Sequence, residues 1–431
     1  MTTSTAAGTA VESPHPVRRF HLICVALFAS ALVLRLSIIF ATGMYRDPTP
    51  FELERTAISL ATKGVYGNPF VLETGPTAHV VPGYTLLLAA IYKLLGVTIT
   101  AEAVKQILSC LVSSLRSALL PLLAVRIGFN RRTALLAGVI SVLWIGPLET
   151  ELKGGWETPY TALLLLILTG RHFVQPLGKG TPAGAVFTGV LWGALFLLNP
   201  STVLVLAAFF LLDLYRARNR LRFALWRNGV IVAATAFLIL LPWGLRNRAV
   251  LGSFILTRSN FGLELYVAYH PGAVWDNLGN VVGIDSVHPA HNPQEALRIR
   301  EMGEVAYNGE KLGLALDWIR AEPAEAARLA FLHFLRFWFP RGRTGLYTGL
   351  LSAFSLFSLA GYFLLWRAAR DVAIHLGAVL LSFPLMYYVV SWSSRYRDPI
   401  EWVLVLLTAV CLRSAATKLF VRAPERAGRS N

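Results

Sequence analysis

The sequence predicts an all-α, polytopic bundle of about ten membrane-crossing helices, and three observations predict it. Of 431 residues, 55% are hydrophobic and only 15% charged, with a mean hydropathy of +0.55. The apolar residues come in runs of roughly 15–22, the length that spans the hydrocarbon of a bilayer. Lys and Arg gather in short stretches between those runs, as they do in the loops that set membrane topology. A net charge of +16 would suggest nucleic acid in a soluble chain; here the basic loops account for it, and no nucleic-acid partner is expected. Cys24, Cys110 and Cys411 fall far apart inside apolar runs, so neither a disulfide framework nor a metal spacing is readable from them.

Taken in order, residues 1–20 are expected in the cytoplasm, because Arg18 and Arg19 precede the first apolar run. That run, 21–42, is too long for a signal-peptide core and lacks a convincing cleavage site, so it reads as an uncleaved first span. The first outside loop, 43–103, contains FELERTAISLATKGVYGNPFVLETGPTAHVVP at 51–82. This stretch opens as an amphipathic helix, with Phe51, Ile58, Leu60 and Ala61 to one side and Glu52, Glu54 and Arg55 elsewhere. It then breaks at Gly64, Gly67 and Pro69. The apolar helix at 83–97 carries Lys93 and is short for a span. If it crossed, the basic loops around Arg126, Arg131, Arg171 and Arg216 would lie outside, so it reads as embedded but not crossing.

Further spans are expected at 104–125, 133–149, 158–172, 183–198, 200–214, 229–246, 344–366, 373–391 and 399–417, with a tight outside turn at Asn199–Pro200. Both termini then lie inside. The chain divides into an N-terminal transmembrane module (21–246), an outside segment (247–343), a C-terminal transmembrane module (344–417) and a basic cytoplasmic tail (418–431). The end of the outside segment mixes Arg328, His333 and Arg336 with aromatics, as a helix lying in the interface does.

This topology collects the informative polar residues on the outer face, while the cytoplasmic loops hold almost only Arg and Lys. An enzyme acting on the outer face would look like this. Glu52 is the sharpest candidate for catalysis, since transfer onto a hydroxyl needs a carboxylate within reach of its proton; Glu54 reads as a solvated helix face. Glu157, after two glycines in GGWETPY, is either an ordinary N-terminal helix acid or a second acid facing the same cavity. Arg395 and Arg397 flank Tyr396, and guanidinium groups bind phosphate by a planar two-pronged contact; interfacial snorkelling is the alternative. Arg246, Arg258, Asn260 and Glu264 are weaker candidates for substrate binding. Arg35 and Arg116 lie within spans and should face protein or a wet cavity. His288 and His291 in HPAHNP read as turn residues, with no metal site expected, and no phosphate loop, GxSxG, HExxH or zinc pattern occurs.

FELERTAISLATKG, YGNPF, TGPTA, PGYTLLLAAIYKLLG, PWGLRN, RSNFGLELY and SSRYRDPI, in that order along most of the chain, together resemble the GT-C type membrane glycosyltransferases. The likeness is to the glycosyltransferase family 39-like bacterial proteins, relatives of protein O-mannosyltransferases and of the lipid A aminoarabinose transferase. The resemblance implies a GT-C arrangement with juxtamembrane helices in the first outside loop. It also implies a polyprenyl-phosphate-linked sugar donor, an acceptor glycan, lipid or protein, and inverting transfer on the periplasmic face of the bacterial cytoplasmic membrane. By position it makes Glu52 the base, with Glu54 in reserve, Glu157 the second acid, and Arg395 and Arg397 the donor-phosphate ligands. Family members generally have Asp where this chain has Glu52. No cofactor is required, and a divalent metal is compatible.

Two readings from other classes stand beside this one. A transporter or flippase of lipid-linked saccharides predicts charges deep in several spans and repeat symmetry, neither of which is clear. A non-catalytic envelope assembly component would tolerate the loss of Glu52.

Overall fold

The computed structural model describes residues 14–46, 48, 50–217, 219–282, 286–342 and 344–414. The tail expected at 418–431 and most of 1–20 lie outside the described residues. Among those described, the fold is all-helical, with two isolated β-bridges and no strand.

The helices run α1 Pro14–Thr42, α2 Glu52–Lys63, α3 Pro82–Leu95, α4 Ile99–Arg126, α5 Arg131–Leu143, α6 Leu148–Lys153, α7 Thr158–Val174, α8 Pro182–Leu198 and α9 Val203–Arg216. They continue with α10 Asn219–Leu251, α11 Phe261–Ala268, α12 Asn277–Val281, α13 Pro293–Met302, α14 Glu304–Ala321, α15 Pro323–Trp338, α16 Gly345–Ala368, α17 Arg370–Ser382 and α18 Glu401–Ser414. Among the described residues, five stretches can cross a membrane by length and composition alone: Arg18–Thr42, Ile99–Arg126, Arg222–Leu251, Gly345–Ala368 and Arg370–Tyr388. The other expected spans are helices of 13 to 17 residues. Their surroundings differ: α18 is buried continuously from Glu401 to Val410, whereas α8 and α9 leave Phe187 and Leu211 exposed. Helix α1 likewise leaves Leu22, Val25, Val33 and Phe40 exposed, the outward apolar face a helix turns to lipid.

Three expected boundaries move. The span read as 133–149 stops at Leu143, because Gly146 and Pro147 interrupt it, and 148–153 forms the separate helix α6. The helix that covers the span read as 229–246 continues to Leu251 and ends before Gly252, whose φ of 73° a side chain would resist. The span read as 200–214 begins with a 3₁₀ turn, Pro200–Thr202, whose N-cap Asn199 accepts the Ser201 N–H at 3.1 Å.

Packing brings distant segments to one end of the bundle. The main core joins residues of α4, α5, α7, α8, α10 and α18. A second cluster seats α2 on α3, with Leu53 and Ala57 against Tyr84, Leu88 and Tyr92. A third clamps Phe70, from the loop after α2, against Leu263, Val267 and Tyr307 of α11 and α14. There Gly262 comes so close to the Asn308 carbonyl that a Cβ would collide with it. This approach lets Asn308 Oδ1 accept the Leu263 N–H at 3.1 Å and fixes the start of α11.

Candidate site between the helix ends

Glu52 is the first residue of α2, and Glu54 makes that helix start where it does. Its Oε2 reaches back to accept the Phe51 N–H at 2.9 Å, one of the orphan donors of a helix N-terminus. The other carboxylate oxygen pairs with Lys105, which also pairs with Glu102, all three side chains being buried. Glu54 is therefore occupied in a structural ion cluster, and the reserve role expected of it is not available to it.

A cavity of about 300 Å³ opens where the helix ends meet, lined among others by Glu157, Asn199, Arg258, Glu264, Arg395 and Tyr396. Glu157 sits at the N-cap of α7 and is only 8% exposed. Asn260, also on the lining, donates from Nδ2 to Glu264 Oε1 at 2.8 Å. The Arg258 guanidinium lies 3.9 Å from the same oxygen, while its Nε donates to the His79 carbonyl at 2.9 Å.

Arg395 sits on the 3₁₀ turn Ser394–Ile400 that precedes α18. Its guanidinium carbon stands 3.4 Å from the centroid of the Trp156 ring, and Trp156 rests in turn on Phe51 at 5.0 Å. Burial alone would pull its proton affinity down, but Tyr396, Glu157, Glu52 and Glu264 outweigh it and push the pKa up. Arg395 is thus held as a permanent cation facing three carboxylates. Burial raises Tyr396 to about 12, so its hydroxyl stays a neutral donor. Tyr396 stacks on Tyr387 at 4.6 Å, and Tyr387 takes the Asn199 Nδ2 hydrogen at 3.0 Å.

Two expected members lie elsewhere. Arg397 points away from the cavity: Nε donates to Glu401 Oε1 at 2.6 Å, and Nη1 donates to the Trp338 carbonyl at 3.0 Å and to Ser355 Oγ at 2.8 Å. The cause is the 3₁₀ geometry, in which residues two apart point along different directions and only those three apart align. Arg246 is also engaged, donating to the Thr77 and Tyr66 carbonyls, each at 2.7 Å. It braces the loop after α2 rather than lining the cavity.

Beside the cavity the fold adds a group that the sequence did not disclose. Glu52, His79 and His288 each place a carboxylate oxygen or ring nitrogen within 4.8 Å of the others. His79 Nδ1 is buried with no hydrogen-bond partner among the described residues, and burial together with Arg258 and His288 holds this ring well below the usual histidine range. His288 is 4% exposed, and its Nδ1 accepts the Ala290 N–H at 3.1 Å. The turn reading holds for the exposed His291 but describes only half of what His288 does. Behind this group Glu304, also buried, takes hydrogens from Thr77 Oγ1, from Ala78 N at 2.8 Å and from Ser259 Oγ at 2.6 Å. It thereby ties the strip bearing His79 to the strip bearing Arg258 and Asn260.

No family model and no curated protein matches the chain. Among solved structures it is similar to the oligosaccharyltransferase of Archaeoglobus fulgidus, crystallised in complex with Zn and sulfate. The TM-score is 0.53 at 14% identity, over 91% of this chain and 49% of that one. The chain thus spans about half the length of that protein. At this identity the likeness is one of fold alone.

Proposed function

We propose that the chain is an integral-membrane glycosyltransferase that moves a sugar from a polyprenyl-phosphate-linked donor to an acceptor hydroxyl, with inversion, on the periplasmic face of a bacterial cytoplasmic membrane. The observation that carries this reading is the meeting of Arg395 with Glu157 on one cavity at the end of the bundle, with Glu52 beside it and near enough to act on the Arg395 charge. The shared fold with an oligosaccharyltransferase is in keeping with it. In this reading the donor phosphate lies against Arg395 and the Tyr396 hydroxyl, and the sugar lies between Glu157, Arg258, Asn260 and Glu264. The segment 247–343 contributes to the recognition of the acceptor, which is a glycan, a lipid or a protein.

The step balances without a nucleotide. Glu52 takes the acceptor proton as the acceptor oxygen bonds to the anomeric carbon. The bond from that carbon to the phosphate oxygen breaks, and polyprenyl phosphate leaves with the electron pair. Arg395 is already charged and held flat by Trp156, so it stabilises the charge growing on the leaving phosphate with little reorganisation.

The test is transfer of label from a polyprenyl-phosphate-linked hexose into the acceptors of the native membrane. Glu52→Gln keeps the shape and removes the base, and should slow transfer by about 10²-fold or more. Full rate in that variant would refute the assignment.

A further inference from the structure

Glu52, His79 and His288 offer one oxygen and two nitrogens within 4.8 Å, a donor set that zinc accepts. The tautomer of His288 argues against that use. Its Nδ1 accepts the Ala290 amide hydrogen at 3.1 Å, inside a turn where the His291 and Asn292 amides also close on the His288 carbonyl at 3.1 and 3.0 Å. A nitrogen that accepts carries no proton, so the neutral ring holds its proton on Nε2. Neutral is the state that burial favours here: it draws this ring below the usual histidine range, against the opposing pull of Glu52 and Glu264. A metal-bound histidine has the reverse arrangement, ligating through one bare nitrogen while the other donates its N–H to an oxygen. Turning the ring over would set a C–H against the Ala290 amide and leave a buried donor unpaired. Without His288, the two remaining donors fall short of the three protein ligands of a catalytic zinc site.

We propose that His288 is a positioning residue for Glu52, presenting its Nε2–H to the carboxylate, and that the Glu52–His79–His288 group works with no metal bound. The inference rests on the reading of Glu52 as the base. A neutral N–H donor fixes one carboxylate oxygen and leaves the other free for the acceptor proton, as second-row groups do at precise sites. His79 closes the far side. Its ring stands edge-on to His288 at 6.0 Å and to Phe70 at 4.8 Å, and its backbone carbonyl is held by Arg258. The proton taken by Glu52 leaves to solvent, and His288 stays neutral throughout.

Two substitutions separate the roles of the two ring nitrogens. His288→Asn keeps an acceptor where Nδ1 meets the Ala290 amide but removes the Nε2–H. His288→Gln sets an amide N–H near the Nε2 position. Transfer from the labelled polyprenyl-phosphate hexose is measured across pH, with and without EDTA, alongside the melting temperature. Zinc content of purified wild type is measured after equilibration with zinc chloride. The expected result is a roughly tenfold or larger fall in kcat/KM for His288→Asn, with its acid limb moved to higher pH. Partial recovery in His288→Gln, indifference to EDTA and no stoichiometric zinc complete it. One zinc per chain that His288→Asn abolishes would overturn the proposal, as would a wild-type rate and pH profile in that variant. Full activity in Glu52→Gln would instead overturn the functional reading on which it rests.

Discussion

Arg395 and Trp156 form a stacked pair, with 3.4 Å between the guanidinium carbon and the ring centroid. The contact fixes a cation flat on an aromatic face, and among the described residues no carboxylate bonds it directly. Such contacts contribute about 2 kcal/mol or more when desolvated, and the flat presentation suits a two-pronged grip on phosphate. Arg395→Lys keeps the charge but loses both planarity and stack. It should raise KM for the lipid-phosphate donor by about tenfold, and Arg395→Ala by about 10²-fold. Steady-state kinetics against donor concentration check this. Equal donor KM in wild type and Arg395→Ala would remove the phosphate from this position.

A different pair of arginines answers the transporter alternative, which requires charges deep within spans. Arg35 of α1 and Arg116 of α4 both converge on Glu151 of α6, at 2.7 and 2.6 Å, with all three side chains nearly or fully buried. Both guanidinium groups share one carboxylate, so the triad keeps one net positive charge while it pins three helices together. Glu151→Gln leaves two buried guanidinium groups facing a neutral amide, a loss of about 3–5 kcal/mol for a broken buried pair. The expected outcome is a fall in the melting temperature of the detergent-solubilised protein, with residual transfer per folded molecule retained. A transporter reading predicts in addition an altered substrate flux per folded molecule.

How much of this was legible in sequence depended on whether a signal was local. Helix positions came through because apolar runs and their Gly and Pro breaks are local; the exact ends moved, as at Leu143, Leu251 and Val203. The meeting of Glu157, Arg258, Asn260, Glu264, Arg395 and Tyr396 followed from topology, which placed them on one face before any contact was known. What failed was direction within a turn. Nothing in SSRYRDPI tells that Arg395 faces the cavity while Arg397 turns inward to Glu401, and nothing in FELERTA tells that Glu54 caps its own helix. The approach of His79 to His288 was beyond reach altogether. Its only local trace was the His288–His291 spacing, which read as a turn.

The contrast between Arg395 and Arg397 is itself testable. Arg397 is 2% exposed and bonded to Glu401, Trp338 and Ser355, so Arg397→Gln breaks a buried, hydrogen-bonded ion pair. Expected is a stability loss of about 3–5 kcal/mol with donor KM unchanged in the surviving folded fraction, the opposite of Arg395→Ala. Thermal unfolding and donor kinetics on the same preparations separate the two. A raised donor KM with normal melting would restore Arg397 to the phosphate site.

His79 and His288 also predict an acid sensitivity of the segments that bear them, and its direction follows from their depressed proton affinities. Burial lowers both rings below the unfolded value, so the unfolded chain binds more protons than the folded one between the two pKa values. Stability from these groups is fully present above the unfolded pKa of about 6.5 and is lost as pH falls through the window beneath it. Because Glu304 links the 77–79 strip to Ser259, loosening should be shared by both strips. Amide hydrogen exchange, corrected for its intrinsic pH dependence, should show protection at 77–80 and 286–292 falling as pH drops from about 7 to 5. The buried Arg35–Glu151–Arg116 helices should remain protected over the same range. His79→Gln should flatten part of that acid dependence, since an amide cannot titrate; an unchanged slope in this variant would show that the buried histidines do not control it.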